Sequence, residues 1–252
     1  MKAVMDTHAN IDVRSIAPTV CKLLGVAAPD ECEVESVPEV IQALSERPRI
    51  AVIVLDAVGI ATINLHREQA PFLMEQVDLN FLPMRAVFPT ITPVNFASMA
   101  TGVSPVTHSI RDREETIIHD TVFDALRRGG RSSAVSARQS SSLNLLLSNK
   151  ADTRIVSQNN QDREVIDQVE NLLETEIPDF VWVQLLDMDD AQHKFGVINP
   201  SAARALGKLD RNLKHLCAIF HDLEYGIIIC ADHGQHDKDD NSGGTHDGTA
   251  PE

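Results

Sequence analysis

The sequence predicts an α/β fold: a three-layer sandwich with a central, mostly parallel sheet and helices on both faces. Two features of the chain indicate this fold class. Apolar runs of strand length recur along the sequence, and segments with helical periodicity lie near each of them. Strands of a parallel sheet are covered on both faces, so they form nearly continuous apolar runs. The runs that predict strands are 50–55, 133–136, 180–186 and 226–230.

Helices are predicted where apolar residues recur at steps of three and four. The longest lies between 199 and 222, where Asn199 is placed to cap the first turn and Pro200 fits the first helical position. The other segments with this pattern are 16–24, 40–44, 121–128 and 165–173.

Size and composition are those of a folded globular protein. The chain has 252 residues, of which 43% are hydrophobic and 23% charged, and it contains no repeat or linker. We therefore expect a single domain over 1–252. Lys and Arg number 22 against 37 Asp and Glu, which gives a net charge of −15. A surface this negative repels nucleic acid and anionic lipid head groups, so we expect neither nucleic acid nor a membrane as a partner.

The compartment is predicted from targeting signals and cysteine usage. No apolar run approaches the roughly 20 residues that span a bilayer, and the first ten residues lack the apolar stretch of a secretory signal. The four cysteines form no CxxC pair, which favours reduced thiols over a zinc site made of thiolates. We expect a cytoplasmic protein.

Acidic residues follow three of the predicted strands. Asp56, Asp189 and Asp232 each come shortly after a strand, and functional groups of open parallel sheets lie at the carboxyl ends of strands. His193 lies four residues after Asp189, which brings both side chains to one side of a helical turn. His233 follows Asp232 directly, in a turn that the next glycine permits. Helix capping and solvated acidic loops are the alternative interpretations.

A threonine marks the start of another predicted helix. Pro93 fits the first helical position and puts Thr92 at the N-cap, where its hydroxyl meets the positive end of the helix dipole. Thr92 is a candidate nucleophile, and a simple capping role is the alternative. Thr90 is the rival hydroxyl. Asn95, one turn into the helix, is either a ligand of a phosphate oxygen or a polar residue on an exposed helix face.

These positions, together with a histidine in a glycine-containing loop, form a set of seven nitrogen and oxygen ligands. Such a set could hold two adjacent divalent cations, which is the arrangement of two-metal phosphoryl transfer. Two cations would also reverse the local field of an acidic protein and attract phosphate. The seven are Asp56, Thr92, Asp189, His193, Asp232, His233 and His246.

Five motifs resemble the alkaline phosphatase superfamily, and most closely its branch of nucleotide pyrophosphatases and phosphodiesterases. Their order and spacing match that branch, and the resemblance covers the chain from about residue 50 to its end. The motifs are VLDAVG around Asp56, PTITPVNFASMATGVSPVTHSI around Thr92, DDAQHKFG from Asp189, ADHG from Ala231 to Gly234, and GGTH ending at His246.

The resemblance implies how the ligands divide between two cations. Thr92 would be the nucleophile, and in-line attack on phosphorus would give a covalent phosphothreonine that is then hydrolysed. Zinc is expected because that branch uses it, and manganese also suits a ligand set without sulfur. The implied groups are Asp189, His193 and His246 for one cation, and Asp56, Asp232 and His233 for the other.

The chain departs from that branch in the loop after residue 110. Members that cleave phosphodiesters usually carry an asparagine shortly after an HGI segment, whereas Arg111 and Arg113 are found here. A guanidinium can hold a phosphate through two hydrogen bonds, which would suit a more highly charged monoester. Arg111 and Arg113 are therefore candidate substrate ligands, and a solvated charged loop is the alternative.

A second departure concerns the order of elements. In relatives a strand and an IAPT-like helical segment commonly follow the last metal histidine, whereas a similar segment lies here at 16–19. We hypothesise that residues 1–49 are a rearranged terminal segment, as is tolerated where chain ends lie close together. A shortened chain is the alternative.

The predicted function is two-metal hydrolysis of a phosphate ester, with a phosphodiester or nucleotide pyrophosphate bond favoured. The substrate would be a small phosphorylated molecule such as a nucleotide, and the oligomeric state is not predicted. A phosphomonoesterase or phosphosugar mutase of the same superfamily is one alternative, and a non-catalytic metal- or phosphate-binding protein is another. A sulfatase is disfavoured because that branch carries an oxidised cysteine or serine at the position of Thr92.

Overall fold

A five-stranded parallel sheet forms the centre of the protein in a computed structural model that describes residues 11–240 and 242–246. The strands are β1 (Arg49–Leu55), β2 (Ser133–Arg138), β3 (Thr153–Ser157), β4 (Phe180–Leu185) and β5 (Tyr225–Cys230). Their order is β3-β2-β4-β1-β5, and all neighbouring strands are parallel. Ile50 of β1 pairs with Phe180 on one side and Gly226 on the other. The predicted sheet is confirmed. A small antiparallel pair, β6 (His236–Asp237) and β7 (Gly244–Thr245), lies outside it.

Helices connect the strands and flank the sheet. A π-helical turn spans Leu143–Leu147, and short 3₁₀ turns span Val13–Ser15 and Arg67–Gln69. None of the helices in the described parts of the chain is both long and apolar enough to cross a membrane. The α-helices are α1 (Ile16–Leu23), α2 (Pro38–Leu44), α3 (Ile60–His66), α4 (Pro71–Asn80), α5 (Thr92–Thr101), α6 (Pro105–His108), α7 (Val122–Arg128), α8 (Asp162–Leu173), α9 (Asp187–Phe195) and α10 (Pro200–Asp222).

Two apolar clusters cover the two faces of the sheet. Alternate residues of β1 point to opposite faces, so Val52 belongs to one cluster and Ile53 to the other. The first cluster contains residues of α1, α5 and α7, and the second contains residues of α8 and α10. Helices on both faces, as the sequence predicts, are therefore present.

Local signals in the sequence locate most of these elements. Asn199 caps α10 by accepting a hydrogen bond from the Ser201 amide at 2.9 Å. Thr121 caps α7, where its hydroxyl and the Asp124 carboxylate form a capping box. The four predicted strands are observed with ends within two residues of prediction, whereas β3 was not predicted. Three of the five residues in its sequence TRIVS are polar, and β3 lies at the sheet edge, so it lacks the apolar run of a central strand.

The segment proposed to be rearranged forms α1. It packs against α5 and α7 within the first apolar cluster. The loop that carries His246 contacts the chain just before α5, where Nδ1 of His246 lies 3.0 Å from the carbonyl oxygen of Thr90. The rearranged order and the single domain over 1–252 stay predictions.

Trp182 of β4 is the largest fully buried side chain, and its replacement tests the packing of the first cluster. Its ring centroid lies 5.9 Å from that of Phe96 and 5.8 Å from that of Phe123. Trp182→Ala should lower the free energy of unfolding by about 3–5 kcal/mol, because it leaves a large cavity. Trp182→Phe is the matched control. It keeps a ring and removes an indole N–H that has no hydrogen-bond partner among the described residues, so we expect a loss of about 1–2 kcal/mol. Urea unfolding measures the free energy of unfolding of both variants. Equal losses would contradict the claim that the Trp182 ring fills the first cluster.

Candidate metal centre

The candidate ligands meet at the carboxyl ends of three adjacent strands. Asp56 follows β1, α9 follows β4, and the pair Asp232 and His233 follows β5. Since the sheet order places β1 between β4 and β5, parallel strands bring all three segments to one edge. Two separate groups of three residues lie there with ligand atoms close enough to hold a cation.

The buried group consists of Asp56, Asp232 and His233. Nε2 of His233 lies 3.2 Å from Oδ2 of Asp232 and 3.7 Å from Oδ1 of Asp56. All three side chains are at most 1% exposed. Asp232 and His233 are adjacent in sequence, and the turn after β5 allows both to face the same point.

Thr92 completes the buried group. Its Oγ1 lies 3.0 Å from Nε2 of His233. The prediction that Thr92 is the N-cap is wrong: Ile91, in an extended conformation, is the N-cap, and Thr92 and Pro93 begin α5. The carbonyl of Ile91 accepts the hydrogen bond of the Asn95 amide at 3.1 Å, which starts the helix one residue earlier than predicted. The Thr92 hydroxyl is consequently not used for capping and reaches His233 instead.

Two carboxylate oxygens in this group have no hydrogen-bond partner among the described residues. They are Oδ1 of Asp56 and Oδ2 of Asp232, and both are buried. The other oxygen of each carboxylate is held: Oδ2 of Asp56 accepts from Gln184 at 2.5 Å, and Oδ1 of Asp232 accepts from the amide of Ala57 at 3.3 Å. Buried polar atoms are rarely left unpaired, so two such oxygens facing one imidazole fit a bound cation.

The pKa shifts of the buried carboxylates also fit a bound cation. Burial, followed by the negative charges of Asp232 and Asp189, raises the pKa of Asp56 well above its usual range. Burial also raises the pKa of Asp232, despite the opposing effect of His233. A divalent cation would lower both pKa values, because it favours the ionised form of each carboxylate.

The second group consists of Asp189, His193 and His246. Asp189 and His193 lie one turn apart on α9, as their spacing predicts, and Oδ1 of Asp189 is 3.2 Å from Nε2 of His193. Nε2 of His246 lies 3.0 Å from Nε2 of His193 and 3.8 Å from Oδ1 of Asp189. This group is more accessible than the first, since the His193 side chain is 41% exposed.

Hydrogen bonds to backbone carbonyls orient all three imidazoles. Nδ1 of His193 is 3.2 Å from the carbonyl of Gly244, Nδ1 of His233 is 3.0 Å from that of Gly234, and Nδ1 of His246 bonds Thr90. A carbonyl only accepts, so each Nδ1 carries a proton and each Nε2 faces the site, where it can bind a cation through its lone pair when it is unprotonated. Two such lone pairs only 3.0 Å apart, on His193 and His246, require a proton or a cation between them.

The pKa shifts in the second group follow from the close approach of its imidazoles and carboxylate. Burial and the neighbouring His233 lower the pKa of His246 to about 4, so its imidazole is neutral at pH 7. The hydrogen bond with Asp189 raises the pKa of His193. Burial acts to raise the pKa of Asp189, but His193 and the other imidazoles outweigh it and hold that pKa below its usual value. Nitrogen and carboxylate ligands of this kind suit zinc or manganese.

The three predicted substrate ligands all bond to backbone carbonyls. Asn95 is fully buried, so the alternative that it lies on an exposed helix face is wrong. Its amide bonds the backbone of Val87 and Ile91 and ties the chain before α5 to the helix. Nη1 of Arg111 donates to the carbonyl of Ile110 at 2.8 Å, and Nη1 of Arg113 donates to that of Ser140 at 3.0 Å. The role of these three residues toward substrate stays a prediction.

Two glutamines that were not predicted from the sequence hold the carboxylates of candidate ligands. Gln184, fully buried in β4, joins Oδ2 of Asp56 to the amide of Leu143. Gln235 donates to Oδ1 of Asp189 at 2.6 Å. A signal for Gln184 existed, because it is the one polar residue in the apolar run 180–186.

Thr90, the rival nucleophile, lies beside the second group. Its carbonyl oxygen contacts His246, while its Oγ1 is buried without a hydrogen-bond partner among the described residues. The hydroxyl that contacts a candidate ligand in the structure is that of Thr92. The geometry therefore favours Thr92 of the two.

Known proteins share this fold. Phosphonoacetate hydrolase from Sinorhizobium meliloti 1021, in complex with phosphonoformate, matches with a TM-score of 0.59 and 21% identity over 78% of this chain and 59% of that chain. Murine ectonucleotide pyrophosphatase / phosphodiesterase 5 matches with a TM-score of 0.61 and 14% identity over 75% of this chain and 58% of that chain. An inactive variant of the murine protein, in complex with AMP, matches with a TM-score of 0.60.

These structural likenesses establish the fold, and a family model establishes the relationship. The chain spans less than two thirds of the length of the solved structures that it matches. No curated protein matches its sequence. The model of the family "type I phosphodiesterase / nucleotide pyrophosphatase" matches residues 50–114 and 135–247, which is more than half of the chain. The chain therefore belongs to the type I phosphodiesterase / nucleotide pyrophosphatase family.

Proposed function

We propose that this protein is a metal-dependent hydrolase of phosphate esters that acts on phosphodiester or nucleotide pyrophosphate bonds, with Thr92 as its nucleophile. The observation that carries the proposal is the position of Thr92 Oγ1, 3.0 Å from His233 in a buried group with two unpaired carboxylate oxygens. A hydroxyl is a weak nucleophile unless a base or a metal activates it. Membership of the family supports the same class of reaction.

Two divalent cations are proposed, with zinc as the native metal. Asp189, His193 and His246 would hold one, and Asp56, Asp232, His233 and Thr92 would hold the other. When bound, the cations supply positive charge that lowers the pKa of the nucleophile and neutralises the phosphate oxygens.

The chain's own residues position the reaction. Thr92 begins α5, a helix of ten residues, so its hydroxyl lies where the backbone amides and the helix dipole favour an anion. Oγ1 would lose its proton to solvent and form a bond to phosphorus while the bond to the leaving-group oxygen breaks with its electron pair. Water would then attack phosphorus and break its bond to Oγ1, which regains a proton as the second product leaves. His233, which contacts Oγ1, would fix the hydroxyl for in-line attack.

A small phosphorylated molecule such as a nucleotide is the proposed substrate. The solved structures that share this fold include complexes with phosphonoformate and with AMP, which supports a ligand of this size and charge. We also propose a cytoplasmic location, since all four cysteines are free thiols and suit a reducing compartment.

The experiment compares an aryl phosphate diester with the matching aryl monoester. Protein reconstituted with zinc, and separately with manganese, should turn over the diester faster. Preference for the monoester would contradict the diesterase proposal and favour a phosphatase, in which Arg111 and Arg113 hold the extra charge. No turnover by protein that binds two cations would favour a non-catalytic metal-binding protein.

A further inference from the structure

Arg138 is a buried arginine that the proposed reaction does not use. It is the last residue of β2, and its side chain is 3% exposed. Its guanidinium binds three carboxylates. Nη2 is 2.7 Å from Oδ1 of Asp162, Nη1 is 2.6 Å from Oδ2 of Asp190, and Nη2 also bonds Asp187. A buried charge with three partners is costly to assemble, so its position calls for a physical explanation.

Asp162 links this arginine to the start of α9. Its Oδ1 accepts from the amide of Leu186 at 2.8 Å, and its Oδ2 accepts from the amide of Asp187 at 2.8 Å. Leu186 is the N-cap of α9 and has no side chain that could satisfy those amides. The fully buried carboxylate of Asp162 does so from a different helix. Arg138 and Asp162 together hold the first turn of the helix that carries Asp189 and His193.

Arg138 binds two acids of α9, and neither of them is the candidate metal ligand Asp189. The first turn of α9 contains three carboxylates, those of Asp187, Asp189 and Asp190. Arg138 binds the outer two, and Lys208 lies 2.7 Å from the second oxygen of Asp187. Asp189 instead contacts Gln235 and His193. The guanidinium thus separates one candidate ligand from two neighbours that have the same chemistry.

We propose that Arg138 is a positioning residue for the group Asp189, His193 and His246: it fixes α9 and withholds Asp187 and Asp190 from the cation. This inference rests on the proposed metal centre. The planar fork of a guanidinium can bind several carboxylates at fixed angles, and the point charge of a lysine cannot. Removing Arg138 therefore releases Asp190 from this ion pair and takes one partner each from Asp187 and Asp162, while the contacts within the buried group of Asp56 remain.

The test is a titration with cobalt(II), followed by visible absorption, which reports the ligand geometry of each bound ion. Each group should give its own phase of the titration curve, and the phase that His193→Ala removes belongs to the second group. We expect Arg138→Gln to weaken cobalt binding in that phase by roughly 10- to 100-fold and to alter its spectrum, while the other phase keeps its affinity. Arg138→Lys keeps the buried charge without the fork. It should show the same selective loss of cobalt affinity at the second group. If the glutamine variant does not fold, the lysine variant alone tests the proposal.

Arg131→Gln is the matched control. Arg131 forms an ion pair with Asp179 at 3.1 Å, next to the opposite ends of β2 and β4, so neither phase should change. Unchanged cobalt binding in both Arg138 variants, or equal weakening of both phases, would overturn the inference and leave the proposed function standing. A wild-type protein that binds no cobalt at either group would overturn both.

Discussion

Thr92→Ala should abolish turnover while both cations stay bound. The substitution removes the hydroxyl and the γ-methyl group, and the buried group keeps Asp56, Asp232 and His233 as candidate ligands. Because catalysis through a covalent intermediate requires that oxygen, we expect kcat for an aryl diester to fall by roughly a thousandfold or more. Steady-state kinetics and the metal content of the purified variant are measured together.

Thr92→Ser is the matched control for that variant, since it keeps the oxygen and should keep most of the activity. Thr90→Ala tests the rival hydroxyl two residues earlier and should have a much smaller effect. An active Thr92→Ala enzyme, or an inactive Thr90→Ala enzyme with intact metal content, would contradict the assignment of the nucleophile.

His193→Ala should reduce the bound cations from two to one. It removes one ligand of a group of three, and the remaining Asp189 and His246 offer too few atoms to retain the ion. Turnover should fall by on the order of a hundredfold or more, because one cation then has to serve both the nucleophile and the leaving group. Elemental analysis and kinetics on the same sample measure the two effects.

His215→Ala is the control for the histidine substitution. His215 lies on α10, and its side chain is 40% exposed, close to the 41% of His193. Its loss should change neither metal content nor turnover. If both histidine variants lost an ion, or if His193→Ala retained two, the second group would not be a metal site.

The positions of the candidate ligands can be predicted from the sequence because their signals are local. A strand ending in an acid, a four-residue spacing on a helix and a proline at a helix start can each be read from a few residues, as at Asp56, Asp189 and Thr92. The structure brings these residues together at one edge because parallel strands align their carboxyl ends. The one-residue error at the start of α5 is of the size that local helix signals allow, and it changed the status of the Thr92 hydroxyl.

The supporting contacts could not be predicted, because they depend on strand order. Arg138 reaches α9 only because β2 lies beside β4, although the two strands are more than 40 residues apart in sequence. Gln184 reaches Asp56 only because β4 lies beside β1. Asn95 was assigned two roles from its helix position alone, while its burial comes from packing against the chain before α5. Local patterns do not contain this information.

The central claim is that two cations bind at the edge of this sheet. Crystals of the protein grown with manganese, and separately with zinc, allow each metal to be located by its anomalous diffraction. We predict two peaks, one in contact with Nε2 of both His193 and His246, and one in contact with Nε2 of His233 and Oγ1 of Thr92. A single peak, or peaks away from both groups, would contradict the account.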